Sequence, residues 1–292
     1  FDSIHIHDLP LSKVGSRISK KYGVKLTIDL HENWPALLRV STHTNTFIGK
    51  ILSPNFLWVN YEKRVLKHAN AIIVVVDEAK ERLSGIGIDE DKLFVVSNTL
   101  NMVEFDVEAE KPDSKYFTLY YAGGINFHRG LQTVIEAIAL AKDEVENLRF
   151  RIAGFGSYEH NLEELVGKLG LNDRVEFLGY LTLKDVARNL SQADVALIPH
   201  LKTPHTDSTI PHKLFQYMYI NKPIIASNCA PIERIINETN SGIIFKSGNA
   251  DDLAQKIVQL ASKSVKVSNA KHWVEEKYCW DNDSKVLVNI YA

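Results

Sequence analysis

The chain has 292 residues, 45% apolar and 24% charged, a composition that fits a globular protein of about two domains and excludes a disordered or fibrous one. Lys and Arg number 34 against 36 Asp and Glu, and this net of −2 excludes the basic excess of a general nucleic-acid binder, so no nucleic-acid partner is expected. Cys229 and Cys279 are too few for a disulfide framework or a cysteine-rich zinc site and suit a reducing, cytoplasmic setting. The longest apolar run, Ala71–Val76, is far short of the roughly 20 residues that span a bilayer, and no signal-peptide pattern is visible.

Along the chain, short Val- and Ile-rich runs alternate with segments of helical period, the pattern of a parallel α/β sheet. In the first third, strands are expected at Ser3–Ile6, Lys25–Leu30, Ala71–Val76 and Leu93–Val96, and helices at Lys13–Tyr22, Leu57–Ala69 and Glu78–Leu83. Val107–Lys115 is charged, contains Pro112 and has almost no apolar content, so it reads as a linker. Beyond it, strands are expected at Phe117–Tyr121, Leu148–Ala153, Val175–Leu178, Val195–Pro199, Pro223–Ala226 and Gly242–Phe245. Helices follow them at Leu131–Ala141, Tyr158–Leu169, Leu183–Ser191, Pro211–Tyr219, Ala230–Ile236 and Asp251–Ala261. Six strand–helix repeats make a complete doubly wound domain. The expected organisation is a Rossmann-like domain at 1–106, the linker at 107–115, a second Rossmann-like domain at 116–264 and a helical segment at 265–292. A cleft between two such domains is the usual place for a ligand.

Three segments carry candidate chemistry. The first is Ala122–Gly130 (AGGINFHRG), between a strand and a helix. Gly123 and Gly124 let backbone N–H groups approach a phosphate there, the helix terminus adds partial positive charge, and Arg129 adds a forked cationic donor. A turn that needs glycine for backbone reasons alone is the alternative. The spacing is not G-x-G-x-x-G, so no nicotinamide dinucleotide is indicated. Gly154-Phe155-Gly156, after the next strand, reads as a structural turn.

The second is Asp207–Met218 (DSTIPHKLFQYM). Ser208 or Thr209 is expected to cap a helix with Pro211 in its first turn, Lys213 is close enough to that terminus to reach a phosphate, and His212 and Gln216 share a helix face. Two such anion-ready termini on one sheet favour a diphosphate ligand over a surface helix with a solvated cation. The third is His5-x-His7-Asp8 with His31-Glu32, at the carboxyl ends of adjacent strands. His5 and His7 are read as pointing to opposite faces, so only one is expected on the ligand side. A cleft-lining polar role, a packed or capping histidine and a metal ligand are the readings weighed, and no metal is assigned.

Residues 11–70 hold Lys13, Arg17, Lys20, Lys21, Lys25, Arg39, Lys50, Lys63, Arg64 and Lys67 against Asp29, Glu32 and Glu62, a local excess of seven positive charges. Phe47, Ile48, Ile51, Leu52, Phe56, Leu57 and Trp58 are interspersed, a combination that suits an anionic membrane surface as well as it suits a solvated face above core residues.

Taken in order, these segments resemble the GT-B glycosyltransferases, in particular the retaining group called glycosyltransferase family 4. Ser3–Leu9 (SIHIHDL), Asp29–Pro35 (DLHENWP) and Lys92–Asn98 (KLFVVSN) look like the acceptor-side domain. Tyr121–Gly130, Ile152–Gly156, Val175–Gly179, Ala193–Pro199, Pro211–Met218 and Lys222–Ser227 follow the donor-side domain, and Trp280 and its neighbours look like the terminal helix that crosses back to the first domain. The resemblance implies transfer of a sugar from a UDP- or GDP-sugar to a glycan or lipid-linked acceptor, by a protein that is cytoplasmic or at the inner face of the membrane, with no metal and no further cofactor. It implies that Arg129 contacts the donor diphosphate beside Gly123 and Gly124. A second basic residue, which many relatives carry at the place of Gly124, is absent, leaving Arg129 and Lys213. The family's Glu–seven residues–Glu signature falls on Ser208 and Gln216, neither of them acidic; Gln216 keeps a hydrogen bond to ribose, and Asp207 stands beside Ser208. Ser208, Thr209, His212, Lys213 and Gln216 are thus assigned to the donor, and His7 and Asp207 to catalysis. Alternatives are a nucleotide-sugar epimerase, a glycogen-synthase-like GT-B enzyme, or a degenerate nucleotide-sugar-binding partner. The resemblance also places Ser3–Leu9 well inside the first domain, so an N-terminally truncated domain is expected.

Overall fold

The computed structural model describes residues 2–40, 53–105 and 115–292. The linker up to residue 114, and Phe47, Ile48, Lys50, Ile51 and Leu52 of the basic region, lie outside the described residues. The chain divides into two compact units, one comprising Phe1–Asn98, Thr203–Ile210 and Asp281–Ala292, the other Thr99–Lys202 and Pro211–Trp280.

In the first unit, β1 (Ser3–His7), β2 (Lys25–Leu30), β3 (Ala71–Val74) and β4 (Leu93–Val95) form a parallel sheet in the order β1-β2-β3-β4. The helices are α1 (Ser12–Tyr22), α2 (Trp34–Val40), α3 (Asn55–Leu66) and α4 (Asp77–Gly85). Strand β3 is AIIV and buried at every position, as a parallel strand covered on both faces must be. The sequence reading missed α2. Its signal is a cap: the Asn33 side chain accepts from Ala36 N, and Pro35 sits in the first turn. Between α3 and α4, buried Glu62 accepts two 2.9 Å bonds from the Arg82 guanidinium, the forked geometry that compensates a carboxylate taken out of water.

The second unit carries β5 (Phe117–Ala122), β6 (Leu148–Ala153), β7 (Val175–Gly179), β8 (Val195–Ile198), β9 (Ile224–Ser227) and β10 (Gly242–Phe245). Its helices are α5 (Leu131–Ala141), α6 (Glu159–Leu169), α7 (Leu183–Ser191), α8 (Lys213–Tyr219), α9 (Ala230–Thr239), α10 (Ala250–Ala261) and α11 (Lys271–Glu276). Strand order is β10-β9-β8-β5-β6-β7, all parallel. This is the doubly wound Rossmann order, which reverses direction between β5 and β8. Leu131, Val134, Ile135 and Ile138 of α5 are fully buried in a core shared with Leu119, Phe150, Leu253 and Ile257. At about 1.5–3 kcal/mol for each such side chain, this packing fixes where α5 begins.

The last helix, α12 (Trp280–Tyr291), changes allegiance after its first residue. Trp280 groups with the second unit and donates its N–H to Leu100 O, while Asp281–Ala292 group with the first. Among the described residues no helix is long and apolar enough to cross a membrane.

Candidate functional site

Ligands of doubly wound sheets bind beyond the carboxyl ends of the strands where the order reverses, here the ends of β5 and β8. After β5 comes the Gly123-Gly124 turn, then a 3-10 turn at Phe127–Arg129, then α5, preceded by Gly130. A side chain on Gly130 would put its Cβ 1.9 Å from Pro199 O, beyond β8, and φ is +74°, so only glycine lets α5 begin so close to the β8 end. From the same side Arg129 reaches back, with Nη1 3.2 Å from His200 Nε2. The two sides of the switch point are therefore joined through Arg129.

The turn rests on the next strand's loop. Gly123 N–H donates to Ala153 O and Gly154 N–H to Gly179 O. A Cβ on Gly154 would stand 1.9 Å from Gly123 O, and one on Gly156 2.0 Å from Ile125 O. Gly154 and Gly156 are structural, as their sequence context suggests. The Gly123 N–H is committed to the sheet, so of the two glycines it is Gly124 that offers a backbone donor to a ligand.

Lys213 and Arg129 share this corner. Lys213 Nζ lies 3.8 Å from the centre of the Tyr121 ring and would be 2.5 Å from a Cβ on Gly123. Tyr121 is buried and its hydroxyl donates to Gly124 O. Burial, with the Arg129 charge next to it, holds the Lys213 ammonium well below the usual lysine range. Burial pushes His128 down to about 4, again with Arg129 adjacent. Among the described residues neither Arg129 nor Lys213 has a carboxylate within ion-pair distance, and the buried Arg129 Nε has no hydrogen-bond partner. Cations collected in one place without counter-charge are a site for an anion.

Helix α8 corrects a second expectation. It begins at Lys213, with His212 at the cap position and no side-chain cap bond, and runs for 7 residues. Ser208 and Thr209 do not cap it. Residues Thr203–Ile210 group instead with the first unit, where Asn33 Nδ2 donates to Pro204 O and the buried His205 pairs with Glu32 at 3.2 Å. The Ser208 hydroxyl is buried, donating to Pro204 O and facing Asn33 Nδ2. Asp207 donates its N–H to Thr203 O and Thr209 is extended and half-buried in the same segment. His212 and Gln216 line a pocket of about 290 Å³ in the second unit, with Thr99, Leu100, Asn101, Phe105, Leu183 and Trp280. His212 Nε2 is 3.2 Å from Thr99 O there.

The histidines of the first unit also differ from expectation. A strand alternates with a period of two, so His5 and His7 share one face, with Ile6 on the other. Their rings lie 4.6 Å apart. The register pairs His7 with Asp29, whose Oδ2 is 3.3 Å from His5 Nε2, 3.5 Å from His7 Nδ1 and 3.4 Å from His31 Nε2. Burial works against the Asp29 charge, yet His31 and His5 hold its carboxyl below the usual range, and the bond to Asp29 holds His31 above its own. Asp29 was not singled out from the sequence; its signal is the β1–β2 register.

The family model for the group 1 glycosyl transferases matches residues 102–279, and the one for Glycosyltransferase Family 4 matches residues 1–103. An uncharacterized glycosyltransferase of Methanocaldococcus jannaschii is 28% identical, covering 100% of this chain and 75% of that protein. A putative colanic acid biosynthesis glycosyltransferase of Escherichia coli is 24% identical over 67% of this chain, which spans about half (48%) of its length. Among solved structures, Anabaena HepE in complex with UDP-glucose superposes with a TM-score of 0.76 at 16% identity, over 99% of this chain and 78% of HepE. With these matches and two parallel, Rossmann-like α/β units, the chain belongs to the group 1 glycosyltransferases of family 4 type and has their GT-B fold.

Proposed function

We propose that the chain is a retaining glycosyltransferase that moves a sugar from a UDP- or GDP-sugar to a glycan or lipid-linked acceptor in cell-surface polysaccharide biosynthesis. The observation that carries the donor assignment is the pairing of Arg129 and Lys213 beside Gly124 with no carboxylate among the described residues to neutralise them. The colanic acid relative and the HepE complex with UDP-glucose support the pathway and the donor class. In this scheme the bond from the anomeric carbon to the diphosphate breaks as Arg129, Lys213 and the Gly124 N–H take up the developing charge. The acceptor oxygen bonds to the same carbon from the leaving-group face, and its proton passes to the departing phosphate. His7 and Asp207 are the first unit's candidates for positioning the reacting hydroxyl, and Gln216 for a ribose hydroxyl at the 290 Å³ pocket. Protein cations neutralise the leaving group, so the scheme asks for no metal cofactor.

Incubation with a panel of nucleotide sugars is expected to release nucleoside diphosphate in an acceptor-dependent way, with the donor's anomeric configuration kept in the product. Inverted product refutes retention. Binding without turnover for every donor and acceptor supports the degenerate partner instead.

The same reading includes peripheral contact with an anionic membrane at the cytoplasmic face. Leu11, just before α1, and Val14, Ile18 and Tyr22 within it are exposed at helical spacing, and a different face of α1 lines a pocket of about 280 Å³ with Lys13, Arg17, Lys20, Arg64 and His68. Each cation contributes about 1 kcal/mol near an anionic surface. Binding to phosphatidylglycerol vesicles is expected at low salt and is lost on raising the salt; no binding at low salt removes the membrane contact.

A further inference from the structure

The carboxyl ends of β1 and β2 hold a second set of converging donors. One ligand atom from each of His5, His7 and Asp29 lies within 4.8 Å of the other two. Hydrogen bonds from ring N–H groups to oxygen prefer about 2.7–3.2 Å. The three imidazoles around Asp29 Oδ2, at 3.3, 3.5 and 3.4 Å, are long by that measure. The His5 and His7 separations from Asp29 fit a different spacing, and the ligand atoms of the two histidines lie within 4.8 Å of each other. Ligands held about 2.0–2.1 Å from a tetrahedral ion stand about 3.3–3.4 Å from one another.

We infer that His5, His7 and Asp29 bind a divalent transition-metal ion of the zinc class. Strand period places the two histidines on one face, and the parallel register sets Asp29 beside His7, so the set is fixed by backbone rather than by loops. Two imidazoles and one carboxylate select such an ion over calcium or magnesium, which take oxygen ligands. The other nitrogen of His5, Nδ1, meets the Tyr291 hydroxyl, the outer partner that orients a metal-bound imidazole. His31 Nε2 stands 3.4 Å from the same Asp29 oxygen, and its ring stacks on His7 with ring centres 5.4 Å apart. Side-chain exposure rises from 13% at Asp29 to 66% at His7, leaving the fourth coordination position open to solvent on the His7 side.

Titration of the whole chain with Zn²⁺, and with Co²⁺ as a spectroscopic substitute, tests the site. One ion per chain is expected, with the visible absorption of four-coordinate cobalt. His5→Phe and Asp29→Asn are expected to abolish that absorption, and Tyr291→Phe, which removes no ligand, to weaken zinc binding by about tenfold. Circular dichroism of each variant separates loss of the site from loss of the fold, and if both ligand variants unfold, Tyr291→Phe decides. No cobalt absorption in the wild type, or zinc affinity unchanged in a folded variant, overturns the inference. The ion and the role proposed for His7 draw on the same side chain. The titration is therefore run without donor, and UDP binding is measured separately, so that failure of the metal site is distinguished from failure of the transfer scheme.

Discussion

Alanine at Gly154 destabilises the protein by about 2–6 kcal/mol, the sum of two costs that no side-chain movement relieves. The φ of +131° lies in a region that is almost glycine's alone, at about 1–3 kcal/mol for another residue. The added Cβ would also stand 1.9 Å from Gly123 O and 2.9 Å from Gly123 C. That contact is backbone on backbone, so the glycine turn has to shift, at about 1–3 kcal/mol for overpacking. A shift there displaces the Gly124 N–H from Arg129 and Lys213, so affinity for UDP falls with stability. Urea denaturation is expected to show a lower midpoint at an unchanged slope. Gly167→Ala is the control in the same unit: it is exposed within α6, with nothing within 4 Å of its would-be Cβ, and is expected to stabilise by about 0.5–1 kcal/mol. Equal midpoints for Gly154→Ala and the wild type contradict the packing described for the turn.

How much of this could be read from the sequence follows from the range of the interactions involved. Strands with a local signature, such as LRFRIA at Leu148–Ala153, are legible from their alternating Leu, Phe and Ile content and lie where expected. Helix α2 is only 7 residues long, too short to show a period, and its local signs are the Asn33 cap and Pro35 in the first turn. The segment Thr203–Ile210 looks like the approach to a helix because Ser208, Thr209 and Pro211 are good helix starters. What holds it is the distant pairing of Pro204 and His205 with Asn33 and Glu32, and no local pattern reports that. Lys213 was legible as a cation and not as a neighbour of Gly123, 90 positions away, because sheet order rather than sequence spacing brings them together. The shared face of His5 and His7, by contrast, follows from strand period alone and was open to the sequence.

Replacing Arg129 with alanine has the other large effect, and on binding rather than stability. A hydrogen bond to a charged group contributes about 1.5–3 kcal/mol, which predicts UDP or GDP affinity about 10- to 100-fold weaker. Among the described residues the Arg129 side chain hydrogen-bonds only His200, so the fold is expected to tolerate its removal. Lys213→Met tests the same corner from the other side. Its amine is desolvated beside Arg129 with no carboxylate among the described residues to pair it, so the free protein is expected to be as stable or more stable, while nucleotide affinity falls. Calorimetric titration of UDP and GDP into the wild type and Arg129→Ala is the most direct test. A diphosphate site at the β5–β8 switch point predicts at least about tenfold weaker binding in a variant that remains folded, and equal affinity in the two proteins contradicts it.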